Sequence, residues 1–171
     1  MGNLLFSPSG RIGPSEFIKG IMILAVISAV LTIIPMFSFT LGSMLSIIGI
    51  VLLYPLVCLL IKRSHDGGKS GWMSIVWLII MGIIGFALSY LAQMFTMGDL
   101  KEQMDAATTA AAESGDLGAI MEAAKEFGPQ IAKKTAIPSA IAGLVGSYIG
   151  AFVINKIVGR DDHENQFGPA S

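Results

Sequence analysis

The sequence predicts an all-α membrane protein: a polytopic bundle of four transmembrane helices, with an extracytoplasmic helical hairpin between the third and fourth. Three observations lead there. Of 171 residues, 53% are hydrophobic and only 13% charged, about half the charged share of a soluble domain. Mean hydropathy is +0.71, and the apolar residues come in unbroken runs instead of with the 2 or 3.6 period of a half-buried surface. Four such runs, over about 20–39, 41–61, 72–97 and 136–158, flank one polar stretch at 99–134. The whole chain, 1–171, reads as a single membrane domain.

The lead-in before the first run carries turn signals at Ser7-Pro8 and Gly13-Pro14. Proline suits the first helical position, so a helix starts near Pro14, with Glu16 close to its positive end. Gly20 to Phe39 is then free of charge for twenty residues, which at about 1.5 Å per residue covers the ~30 Å hydrocarbon core. Arg11 and Lys19 before an apolar run also suit a signal peptide, but that h-region is only about 7–15 residues long. Leu41 to Ile61 follows after a charge-free junction at Pro35 to Ser43, expected to turn at the interface, and Pro55 is expected to kink this span. Trp72 to Met97 is long enough to tilt, with Trp72 and Trp77 at the interface near its first end.

Between Asp99 and Lys134 the character changes, with seven acids and four lysines in an alanine-rich pattern. Two short helices are expected, broken at Ser114-Gly115 and stopped by Gly128-Pro129. They read as a solvated hairpin that buries little area, or as a partner-docking or membrane-surface helix. Ala136 to Val158 forms the fourth span, with Pro138 in its first turn. Gly146 and Gly150 form a GxxxG motif, and Gly143 extends the small-residue side. Such residues let helices approach closely, against another span of the chain or in self-association.

Lysine and arginine counts set orientation. With the N-terminus inside, the inner segments hold Arg11, Lys19, Lys62, Arg63, Lys69, Lys156 and Arg160, against Lys101, Lys125, Lys133 and Lys134 outside. Both termini are therefore expected in the cytoplasm. A net charge of −1 gives no electrostatic case for nucleic acid. The single Cys58 excludes an intrachain disulfide.

The connector Ile61 to Trp72 holds three of the eleven basic residues. Gly68-Lys69-Ser70 looks like the end of a phosphate loop, but Arg63 stands where its first glycine belongs and no strand precedes it, which argues against nucleotide. Amide groups at the start of the third helix, with Lys62, Arg63, Lys69 and Ser70 beside them, suit an anion such as a lipid headgroup. The same loop reads as an ordinary positive-inside connector with turn glycines. His65 and Asp66, with His163 in the tail, are too few for a metal site, and no catalytic set, metal or cofactor is expected.

Three motifs stand out together: Gly10-Arg11-Ile12 with Glu16-Phe17, then Arg63-Ser64-His65-Asp66-Gly67-Gly68-Lys69-Ser70-Gly71-Trp72, then Asn165-Gln166-Phe167-Gly168-Pro169. They resemble the small bacterial inner-membrane family called domain of unknown function 805. Its pattern places a GR-I-x-R-x-x-F-W segment before the first span, R-L-H-D-x-G-(R/K)-S-G-W between spans, and N-(R)-(F/Y)-G-P at the end. Pro14, Ile18 and Ser64 depart from the usual Arg, Trp and Leu, and 99–134 is an insertion relative to shorter members. The resemblance implies a bacterial inner-membrane protein of about four spans with no established activity. It also implies one patch of Arg11, Phe17, Arg63, His65, Asp66, Gly68, Gly71, Trp72, Asn165, Phe167, Gly168 and Pro169. Arg11 and Arg63 would pair with Asp66 or Asp161 there, and the tail would fold back under the bundle.

The expectation for function is a non-enzymatic protein binding membrane lipids, anionic headgroups among them, or a protein partner, through this patch. The alternatives are a small transporter or channel subunit, which needs a polar path through the bundle, and a membrane enzyme acting on lipid headgroups, which needs His65, Asp66 and His163 to converge.

Overall fold

The computed structural model describes residues 2–169, and every regular element among them is an α-helix. In chain order these are α1 (Gly2–Phe6), α2 (Pro14–Phe37), α3 (Phe39–Val51), α4 (Leu53–Asp66), α5 (Met73–Met97), α6 (Asp99–Ser114) and α7 (Leu117–Val158). Four helical stretches are long and apolar enough to cross a membrane: α2, the joined α3 and α4 (Phe39–Asp66), α5 and α7. The chain is thus an integral membrane protein by length and hydropathy of its helices.

Helix α2 begins at Pro14, where fixed φ and a missing N–H cost nothing. It runs on through Pro35, so the expected wide junction contracts to a single extended residue, Ser38, whose hydroxyl accepts from the Leu41 amide at 3.4 Å. A Cβ on Gly42 would lie 2.3 Å from Pro35 Cγ, so only glycine allows the hairpin to close this tightly. The second span bends at Leu52, three residues before Pro55. Before the bend α3 packs on α2; beyond it α4 packs on α1, α2 and α5. The span also continues past Ile61 to Asp66, so half of the predicted connector is helix.

Helix α7 corrects another expectation. Gly128-Pro129 does not stop it, and it runs unbroken for 42 residues, about 63 Å. Local turn preference loses here to contacts made by the two residues before the proline. Phe127 packs with Leu100 and Ala123, and Gly128 lies so close to the Phe39 ring that a Cβ would approach Cζ to 2.4 Å. The hairpin of α6 and the first half of α7 turns at Gly115, left-handed at φ +68°, as the Ser114-Gly115 signal predicts.

The main core gathers at one end of the bundle, from Ile12, Phe17, Ile21, Leu24, Leu59, Leu60, Trp77, Ala151, Ile154 and Val158. Trp77 is interior, not interfacial, while Trp72 is 79% exposed. Gly146 faces Leu88 and Gly85, and Gly150 faces Met81, so the GxxxG face packs on α5 of the same chain. A side chain at Gly143 would meet open space.

Candidate functional site

The three motifs meet at the end of the bundle where the core is densest. Their organising problem is that helix ends leave carbonyls without partners, and at ends buried against other helices water does not reach them. Three buried cations answer it. Lys62 Nζ donates to the α1 carbonyls of Asn3, at 2.7 Å, and Leu4. Arg63 donates to the carbonyls of Asn155, at 3.4 Å, and Gly159 at the end of α7. Arg11 donates to the final α4 carbonyl, Asp66 O, at 3.3 Å. Positive charge is favoured at each of these termini.

Asp66 binds the arginines together. Its Oδ2 accepts from Arg63 Nη1 at 2.7 Å and its Oδ1 from Arg11 Nη2 at 3.3 Å, with all three side chains at most 2% exposed. Arg63 Nε also donates to Asn155 Oδ1 at 2.6 Å, and Asn155 Nδ2 donates to Pro14 O at 3.2 Å. One triad therefore joins the lead-in, α4 and α7. Behind it, Trp77 Nε1 donates to Ser64 Oγ at 2.9 Å, which donates to Leu60 O at 2.8 Å. A leucine at position 64 would leave the indole without this acceptor.

The glycines that follow have separate duties. Gly68 is left-handed at φ +68°; its amide donates to His65 O and the Lys69 amide to Ser64 O, at 3.1 and 2.9 Å. Those are the paired bonds of a Schellman cap on α4. Gly67 is there because α7 comes so close that a Cβ would lie 2.6 Å from Val158 O.

The tail folds back onto this cap. Arg11 Nη1 donates to His163 O at 2.7 Å and to Gly168 O at 3.2 Å, and Nη2 reaches Asp161 O. Asn165 Nδ2 donates to His65 O and to Asp161 Oδ2, both at 3.1 Å. Its Oδ1 accepts from the Phe167 amide at 3.0 Å, closing a small turn that continues through Gly168. Asp161 is held below the ordinary carboxylate range, first by the Asn165 bond and next by the His163 amide. Phe167 stacks flat on His65, ring centroids 3.8 Å apart and planes within 4°. Pro169 ends the described tail, exposed.

Beside this stack lies an open groove of about 580 Å³ between α4, α5 and the tail. Val57, Ile61 and Ile75 form its apolar side; His65, Ser70, Gly71 and Trp72 form its polar end, with Phe167. Lys69, partly exposed, adjoins Ser70. The first amides of α5 are not idle: those of Met73, Ser74 and Ile75 bond back to Ser70, Gly71 and Trp72 at 3.0–3.1 Å.

Of the four residues expected to hold an anion, Lys62 and Arg63 are buried with internal partners, whereas Lys69 and Ser70 stand at the surface. Arg11, Phe17, Arg63, His65, Asp66, Gly68, Asn165, Phe167 and Gly168 come together in the cluster; Gly71 and Trp72 border the groove. His65 and Asp66 point apart, one toward Gly10 and Phe167, the other into the triad. Among the described residues no group of three or more His, Cys, Asp or Glu is placed to share a metal. Sequence reasoning missed Asn155, Gly67 and the Ser64–Trp77 pair. Asn155 left a signal, an amide near the end of an otherwise apolar run.

No curated protein and no solved structure matches the chain. A family model does match, over residues 5–104, described as a protein of unknown function, DUF805. That stretch holds the first two motifs, which the Arg11–Asp66–Arg63 triad joins, and it stops within α6, short of the third. With well over half its length matched, this chain belongs to the family of proteins of unknown function DUF805.

Proposed function

We propose that this is a bacterial inner-membrane protein, with both termini and the motif cluster in the cytoplasm and the α6–α7 hairpin outside, that binds a membrane lipid at its motif end without transforming it. The orientation rests on the excess of lysine and arginine in the segments at that end. The observation that carries the binding reading is the groove beside the His65–Phe167 stack. Its aliphatic wall suits an acyl chain, and its rim, with Ser70 and the exposed Trp72 and with Lys69 next in the chain to Ser70, suits a headgroup phosphate. The buried cations give the cluster its shape; the surface ones meet the ligand.

The alternatives draw less support. Hollows along α2, α3 and α7 carry the hydroxyls of Thr32, Ser46 and Thr135, but each of these donates to a carbonyl of its own helix. The separation of His65 from Asp66 removes the pairing that headgroup chemistry would need.

The test is native mass spectrometry from native-lipid discs. A Cβ on Gly71 would come within 3.2 Å of Ile61 Cγ2, so Gly71→Val narrows the groove, and Lys69→Ala removes the phosphate partner without touching the core. Wild type is expected to keep a bound phospholipid that both variants lose while melting normally. Equal retention in all three, or no lipid on wild type, rejects the reading.

A further inference from the structure

We infer that the groove selects phospholipids whose headgroup carries a hydrogen-bond donor, and that Nε2 of His65 is the atom that recognises it. This rests on the lipid-binding reading above and names its ligand class. The argument starts from the other ring nitrogen. Nδ1 lies 3.1 Å from Gly10 O, and a carbonyl only accepts, so the proton sits on Nδ1. A neutral imidazole, the usual form well above pH 6.5, then presents Nε2 as a bare acceptor. The ring has no freedom to reverse these roles, because its face is stacked on Phe167 at 3.8 Å and its Nδ1 edge is tied to the lead-in.

Nothing among the described residues donates to Nε2. Among the described residues no buried side-chain nitrogen or oxygen lacks a partner, so this unpartnered atom is one that opens to the outside. It opens past Gly71, where a Cβ would stand 3.3 Å from Nε2; the missing side chain leaves the acceptor uncovered at the polar end of the groove. Ser70 and Trp72, the chain neighbours of Gly71, line the same groove. A phosphate offers only acceptors, so Lys69 reads the net charge of a headgroup and not whether it carries a hydrogen-bond donor. An acceptor on His65 does read the donor: it favours an ammonium N–H or a glycerol O–H and gains nothing from a quaternary amine.

The test uses the full chain at pH 8 in discs of phosphatidylcholine, doped separately with phosphatidylethanolamine or phosphatidylglycerol of the same acyl chains, with retained lipid read by native mass spectrometry. Wild type is expected to enrich a donor-bearing lipid about three- to tenfold over phosphatidylcholine, the range for one net hydrogen bond. Enrichment of the first lipid, which matches phosphatidylcholine in charge, assigns the donor; enrichment of the second counts for its hydroxyl only where His65→Asn abolishes it, since its net charge alone draws it to Lys69. His65→Asn keeps an amide donor near the Nδ1 position but has no atom at Nε2, and is expected to retain lipid without preference. Gly71→Ala, whose methyl covers Nε2 at 3.3 Å and asks the ring to give by no more than a few tenths of an ångström, is expected to do the same. Equal retention of the three lipids by wild type overturns the inference and leaves lipid binding standing. Preference that survives in both variants also overturns it. Loss of all lipid from wild type overturns both.

Discussion

At the motif end, Asp66 draws Arg11 and Arg63 into a buried triad, and the carboxyl ends of α1, α4 and α7 are each met by a cation from another element. At the hairpin end, α6 and α7 meet through Leu100, Ala123 and Phe127, with Met104, Ala107 and Ile131 around them. The first region joins residues as distant as Arg11 and Gly168; the second joins neighbours across one turn at Gly115. Apolar contacts between two consecutive helices are forgiving, because area lost at one point is partly recovered by small shifts. A buried charge triad is not, because removing one member strands the others in a poor solvent. The difference teaches where this protein keeps its specificity: in polar pairing at one end, with an adaptable appendage at the other.

The comparison breaks most visibly at Asp66. Asp66→Asn leaves two arginines buried without a counter-charge, a change expected to cost about 3–5 kcal/mol. A thermal scan in mild detergent should show a large drop in midpoint or no folded protein; an unchanged midpoint would remove the triad from the account.

At the other end, Phe127→Ala deletes the largest buried side chain of the hairpin cluster. Up to about 3–5 kcal/mol of local stability is at stake there, but the loss should stay local. Hydrogen exchange should rise across 99–130 while amides at 60–68 keep their protection. Acceleration in both segments would mean that the two ends are one cooperative unit.

The smallest effect concerns the strap formed by the tail. Asp161 is depressed below its ordinary value of about 3.9, so the folded state binds fewer protons than the unfolded chain does. Its contribution is complete above that ordinary value and fades as pH falls through the lower folded one. Tail exchange in wild type should therefore rise below about pH 4 relative to Asp161→Asn, whose amide does not titrate. Parallel profiles would show that Asp161 does not fasten the strap.

Hydropathy and turn chemistry by themselves determined the four spans, the start of α2 at Pro14 and the hairpin turn at Gly115, because each depends on a few neighbouring residues and on the solvent around them. The crowding of His, Asp, Lys and Ser between two spans also singles out 63–72. Where the cations point was a matter for tertiary structure. Lys62 and Arg63 look like loop charges in sequence, yet they lie within α4, near its end, facing carbonyls 59 and 96 positions away in the chain, at Asn3 and Gly159. Pro129 looks like a stop, and Trp77 like an interfacial anchor, until Phe39 supports the first and Ser64 accepts from the second. The physical reason is common to all of them. An unpaired carbonyl or indole N–H takes whichever partner the packed bundle brings near, and that choice exists only once the helices have assembled.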